Sequence, residues 1–343
     1  TYRITRDREF LNTIFEPVVR ATCFIDELCD RTNTQHGPDT RFNGLVAPSI
    51  SHEGYNKPVY SYWDDFFALS AWRNCEFLAR EIGDEKMAAH ASARGEAFAA
   101  NLARSMRMTG EAMARGVVPA SADREDVDPT STSVAYEPCR VDDVLPADLV
   151  PATYDEYVRH LDVIRQPGFD GGFTPYEIRN LNALIAQDRL DDAFQLLQDS
   201  LSWQRPGGWR HWAEVVWGNP RVPEYIGDMP HTWIGAEFAT AIRRMLLREN
   251  GNTLELFRAV PEAWWEGDGI SLHELPTGFG VVNLSARRQG GRVTVDLSLT
   301  GSAPETVILR YPGAKKAMAD GKPCLIRADR ITAPLFSRLD IDV

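Results

Sequence analysis

No two cysteines of this sequence stand as C-x-x-C. The five present, Cys23, Cys29, Cys75, Cys139 and Cys324, are an odd number scattered over 343 residues. That pattern points away from a disulfide framework and from a zinc site, and the cysteines read as small buried hydrophobes. Clustered Lys and Arg are also missing. With a formal net charge of -12, the chain has the wrong sign for a phosphate backbone, so nucleic acid is not expected as a partner, whereas neutral partners such as sugars are tolerated. No apolar run approaches the length needed to cross a bilayer, and Thr1 to Asp7 do not form a signal peptide, so no membrane partner is expected. The run Asp30-Arg31-Thr32-Asn33-Thr34 lacks the acidic spacing and the glycine of a calcium loop, and no metal or other cofactor is expected. Compartment stays unassigned, leaning periplasmic or extracellular.

What is there is an ordinary globular composition, 43% hydrophobic, with enough apolar material for a real core. The first two-thirds carries helical stripes. Leu11, Phe15, Val18, Thr22 and Ile25 already hold one at the very start, so an N-terminal portion is expected to precede Thr1. Phe67, Ala71, Cys75, Leu78 and Ile82, closed by Gly83, form a second, and Ala88, Ala91, Gly95, Phe98 and Leu102 a third. These two flank Gly83-Asp84 and predict an antiparallel helical hairpin. A Pro-, Asp-, Ser- and Thr-rich stretch from about 110 to 151 interrupts the pattern, and loops of that length are often functional. Helices resume near Tyr154. A second hairpin carries Ile178, Leu181 and Leu184, then Leu190, Phe194, Leu197 and Leu201. A last helix carries Ile234, Phe238, Ile242 and Met245.

After Asn250-Gly251-Asn252 the period changes to two, clearest where Val293, Val295, Leu297 and Leu299 alternate with Thr294, Asp296 and Ser298. Segments 270–275, 280–286, 306–311 and 339–343 read similarly. The expected architecture is therefore mainly α with a smaller all-β domain: residues 1–250 helical, residues 251–343 a β-sandwich. Trp264 and Trp265 are expected at the junction of the two.

Three constellations carry candidate chemistry. Five of the nine tryptophans, Trp203, Trp209, Trp212, Trp217 and Trp233, fall in one stretch with His211, Glu214, Glu224, Asp228 and His231. Sugar recognition needs flat apolar faces for the ring's C–H surface and fixed polar groups for its hydroxyls, and Trp beside carboxylates supplies both. The competing reading is that these indoles plug a helical core. The Gly207-Gly208 and Asn219-Pro220 breaks place them on a loop, where sites concentrate. The second constellation runs from Ser51-His52-Glu53 to Trp63-Asp64-Asp65. Asp64 and Asp65 open a helix, where one could simply serve as a cap, and Glu53 could equally be a solvated carboxylate. The third is Gly168 to Glu177, a glycine-rich loop without a phosphate-loop lysine. Asp170 there is a candidate for sugar hydroxyls, and Glu177 reads as a solvated helix face.

Arranged in this order, Gly172-Phe173-Thr174-Pro175-Tyr176, then Gly207-Gly208-Trp209-Arg210-His211-Trp212-Ala213-Glu214, then Pro230-His231-Thr232-Trp233, the chain resembles the six-hairpin glycosidases, α-L-rhamnosidases in particular. The resemblance spans most of residues 55 to 310. It implies an (α/α)6 toroid, here only part of one, joined to a C-terminal β-domain. It also implies Glu214 as general base and His231 as a substrate contact. Two departures stand out. Ala213 separates Trp212 from Glu214, and the family's Asp-Cys-Pro-Gln-Arg-Glu segment, which bears the general acid, has no counterpart. About seven helices are legible where a closed toroid needs about twelve, which implies a preceding segment or a second chain completing it.

The reading is thus an inverting, exo-acting glycosidase on an oligo- or polysaccharide, with Glu214 as base and, as acid, Glu53, Asp64 or Asp65 or a carboxylate from a missing segment. Trp63, Asp170, Trp209, His211, Trp212, Glu224, Asp228, His231 and Trp233 would bind substrate. Inverting enzymes hold the two carboxyls about 6.5–9.5 Å apart, and the acid needs a raised pKa, which burial against Trp63 or Trp209 would provide. A polysaccharide lyase or epimerase led by His211, Tyr225 and His231 is the enzymatic alternative. A non-catalytic carbohydrate-binding protein is the other.

Overall fold

The computed structural model describes residues 1–51, 55–219, 221–222 and 229–343. The helices are α1 (Tyr2–Thr5), α2 (Arg8–Gln35), α3 (Tyr62–Ile82), α4 (Glu85–Met113), α5 (Pro129–Thr132), α6 (Val150–Ile164), α7 (Asn180–Ala186), α8 (Leu190–Ser202) and α9 (Thr232–Leu246). A 3₁₀ segment, Pro175–Arg179, leads into α7. Two compact units are formed, one from residues 8–237 and one from residues 1–7 with 238–343.

In the helical unit, α3 and α4 make the expected hairpin. Gly83, at φ 88°, closes α3 in the left-handed conformation that glycine adopts without strain. Asp84 then caps α4 by accepting from the Met87 N–H at 2.9 Å. The α4 stripe Ala88, Ala91, Gly95, Phe98 and Leu102 is buried throughout. On α3 the expected Cys75 and Leu78 are buried, but nearer the helix start the buried face differs from the expected stripe: Phe66, Leu69 and Trp72 are inside, and Phe67 is exposed. The reason is Trp72, whose ring packs 4.7 Å from that of Phe98 and whose indole N–H reaches Asp26 of α2. In α8 the expected Leu197 is buried, together with Ala193 and Leu196, whereas Leu201 is exposed.

The remaining unit is a two-sheet sandwich, as the alternating pattern requires. Its strands are β3 (Leu247–Asn250), β4 (Thr253–Leu256), β5 (Ile270–Thr277), β6 (Gly280–Gln289), β7 (Arg292–Gly301), β8 (Thr306–Arg310), β9 (Lys316–Ala319), β10 (Lys322–Pro323), β11 (Leu325–Arg327), β12 (Arg330–Ala333) and β13 (Arg338–Asp342). One sheet has the order β10-β9-β13-β7-β6-β5, the other β11-β12-β8-β4-β3, with β4 and β8 parallel. Val282, Leu284, Val293, Val295, Leu339 and Ile341 of the first sheet share one core with Leu254, Leu256, Val307 and Leu309 of the second. Trp265 belongs to this core, where it stacks edge-on against Phe257 at 4.9 Å and Tyr311 at 5.0 Å. Pairing begins at β3, ahead of the expected boundary at 250, because Leu247 and Leu256 are register partners.

Candidate functional site

The glycine-rich loop and the tryptophan loop are joined by a two-stranded ribbon, β1 (Gly172–Phe173) with β2 (Val216–Trp217), in which Gly172 faces Trp217. The Gly218 N–H donates to Gly171 O at 3.0 Å. Gly218 has no alternative at this crossing, because a Cβ there would stand 1.9 Å from Phe169 O. Just beyond the ribbon, Thr174 Oγ1 donates to Glu214 O at 2.7 Å. Two loops that lie about 40 residues apart in the chain are thereby clamped together.

The start of α9 closes onto the same place. The His231 N–H donates to Trp212 O at 2.8 Å, and the His231 ring shares a short Nε2 hydrogen bond with the Tyr176 hydroxyl. Tyr176 stands edge-on to Trp233, centroids 5.4 Å apart, and Trp233 stands edge-on to Trp63 at 6.2 Å. Trp63 on α3, Tyr176 on the 3₁₀ segment and His231 and Trp233 at the head of α9 therefore form one aromatic wall. Behind it lies Arg179, buried, with its guanidinium carbon 5.0, 4.8 and 5.2 Å from the centroids of Trp63, Tyr176 and Trp233. Its Nε donates to Glu237 Oε1 at 2.9 Å, the same oxygen that accepts from Trp233 Nε1 at 3.0 Å.

The other expected site residues are distributed as follows. Glu214 carries an exposed side chain on the clamped loop. Trp209, 71% exposed, stacks edge-on to His211 at 5.9 Å. Trp212 is buried, with its indole N–H donating to Ser200 O at 2.7 Å. Asp170 is exposed beside the ribbon. Glu53, Glu224 and Asp228, with Tyr225, lie outside the described residues.

The two aspartates at the start of α3 reach the preceding loop. Asp64 accepts from the hydroxyls of Ser49 at 2.7 Å and Ser51 at 2.9 Å. Asp65, 1% exposed, accepts from the Val46 N–H at 3.0 Å. Burial pushes the Asp65 carboxyl well above the usual range, with the neighbouring Asp64 charge adding to it and the Val46 bond opposing.

Two features of this region were not legible in the sequence. Arg179 and Glu237 carried no motif. Glu177, expected on a solvated face, is buried: Thr130 Oγ1 donates to its carboxyl at 3.3 Å and Asn180 Nδ2 lies at 3.4 Å. Burial, reinforced by the Asp128 carboxylate, pushes Glu177 up to about 7. The 3₁₀ turn explains the inversion, since three residues per turn send Tyr176 and Arg179 to the aromatic wall and Glu177 and Asn180 toward α5 and α6.

A helical unit followed along the chain by a two-sheet sandwich is a fold that recurs among solved structures. The α-L-rhamnosidase from Dictyoglumus thermophilum matches with a TM-score of 0.56 at 10% identity, over all of this chain and 38% of that one. The Streptomyces avermitilis α-L-rhamnosidase, solved with L-rhamnose, matches with a TM-score of 0.57 at 12% identity, over all of this chain and 32% of that one. The likeness is one of fold, and the chain spans about a third of the length of these enzymes. No family model and no curated protein matches the sequence.

Proposed function

We propose that this chain is the site-bearing part of a glycoside hydrolase, inverting and exo-acting on a terminal sugar of an oligo- or polysaccharide. The observation that carries the reading is the clamp of Thr174 on the Glu214 carbonyl, on the same loop whose Trp212 carbonyl accepts from the His231 N–H, with His231 in turn adjoining the Trp63–Tyr176–Trp233 wall. Aromatic faces next to a fixed imidazole and a carboxylate suit a pyranose ring, whose C–H face is apolar and whose rim is polar. Glu214 acts as general base on water. The acid is Asp64, whose side chain is half-buried on α3 next to Trp63, or Asp65 or Glu53. In this reading the residues up to 250 supply the site, and the residues from 251 onward form a separate β-sandwich domain. A further helical segment, in the same polypeptide or a second chain, completes the toroid in this reading. The fold likeness to two α-L-rhamnosidases supports the reaction class.

Hydrolysis of an aryl glycoside panel, α-L-rhamnoside included, by the chain and by its Glu214→Gln variant tests this. Release by the parent and none by the variant is the expected result. Equal release by both removes Glu214 from the mechanism. A lyase or epimerase is the second reading, favoured by the directly bonded Tyr176–His231 pair, which is suited to proton transfer. An unsaturated, ultraviolet-absorbing product or an epimerised sugar would select it. Sugar binding without turnover would select a carbohydrate-binding protein.

A further inference from the structure

Arg179 is an unusual residue to find where it is. A guanidinium that is 3% exposed must have its charge answered, because a buried unpaired ion is far more costly than a buried pair. Here Glu237, itself 7% exposed, answers it at 2.9 Å. Charge neutralisation alone needs no particular surroundings, yet this cation lies within 5.2 Å of three ring centroids, from three separate segments of the chain. Guanidinium is planar and weakly hydrated, so it packs flat on aromatic faces in a way an ammonium does not. The same Glu237 oxygen also holds the Trp233 indole N–H, one helical turn away. The pair therefore fixes both a ring and the cation on which that ring rests.

We propose that the Arg179–Glu237 pair is the positioning device of the sugar-facing wall. It sets the mutual angles of Trp63, Tyr176 and Trp233 and, through the Tyr176 hydroxyl, the rotation of the His231 ring. This rests on the reading of that wall as a carbohydrate surface. Arg179 touches no sugar in this arrangement; its effect is exerted through the rings and the imidazole. Loss of the planar fork lets Trp233, which keeps 46% of its surface exposed, change its angle to Trp63, and it takes from Tyr176 the cation that packs on its ring.

The test compares the parent with Arg179→Lys, which keeps the charge but not the plane, and with Glu237→Gln, which keeps the shape but not the charge. Arg189→Lys, in an ion pair with Asp155 and Asp192 away from the rings, serves as the control for stability loss alone. Each is measured for thermal midpoint, near-ultraviolet circular dichroism of the indoles, and sugar affinity by tryptophan quenching. The expected result is an altered near-ultraviolet signal and affinity weakened about tenfold in both Arg179→Lys and Glu237→Gln, with neither change in Arg189→Lys. A lower midpoint with unchanged indole signal and affinity overturns the proposal, since that is what a purely structural pair would give. If Arg179→Lys does not fold, Glu237→Gln decides alone. If the parent binds no sugar, the carbohydrate reading fails separately, and the indole signal still decides: unchanged overturns the positioning role, altered upholds it.

Discussion

Thr174 Oγ1 donates to Glu214 O at 2.7 Å, and this bond, just beyond the β1–β2 ribbon, ties the glycine-rich loop to the loop that carries the candidate base. The acceptor is a backbone carbonyl, so the bond sets where Glu214 sits without occupying its carboxylate. Thr174→Val keeps the shape and removes the donor. Because the bond is partly exposed, unfolding free energy should fall by only about 0.5–1 kcal/mol, while kcat/KM on any aryl glycoside the parent cleaves should fall about tenfold. Urea unfolding and steady-state kinetics check the two parts, and an equal kcat/KM would sever the clamp from catalysis.

Glu177 makes stability pH-dependent. Its folded pKa of about 7 lies above the ordinary carboxyl value, so the folded state holds a proton that the unfolded state releases. Stability from this group is fully present below the ordinary value and is lost as the pH rises through about 7. The upper bound is roughly 3 kcal/mol. Relative to the parent, Glu177→Gln should be near neutral at acid pH and more stable at alkaline pH. Denaturant melts of both proteins across this range would show a constant difference if Glu177 does not titrate there.

Asp65 is buried against the Val46 N–H. Asp65→Ala leaves that donor unanswered and should cost about 1–3 kcal/mol in urea unfolding, whereas Asp65→Asn retains an acceptor and should cost less. If the two cost the same, the hydrogen bond is not what the site requires.

Trp72 and Trp209 should separate core from surface. Trp72→Ala removes a ring packed on Phe98 inside the helical hairpin and should cost about 3–5 kcal/mol. Trp209→Ala, at a position 71% exposed, should leave stability nearly unchanged. It should weaken sugar binding by roughly 2–10-fold, the range expected for one aromatic face. Calorimetric unfolding and quenching titrations measure both.

Local signals in the sequence marked much of this. The Ala88 to Leu102 stripe, the Gly83-Asp84 turn and the alternation from Val293 to Leu299 all depend on neighbours within a few residues, and the structure repeats them. The tryptophan density marked the loop that β2 and the Thr174 clamp fix in place. Short strands such as β3, β10 and β11 escaped notice because two to four residues hold at most two periods of alternation.

Which face each residue shows was decided elsewhere. Trp209 and Trp212 stand three residues apart in one motif, yet one is solvated and the other plugs the core against Ser200. Phe66 and not Phe67 is buried because α4 and α2 approach from Trp72's side. Glu177 and Arg179 share a single 3₁₀ turn, and what packs on either side sends one to a buried polar cluster and the other to Glu237, 58 positions away. Periodicity and turn chemistry are short-range and can be read along the chain. Burial, the pKa of Glu177 and the partner of Arg179 depend on segments far apart in sequence, and only chain folding brings those together.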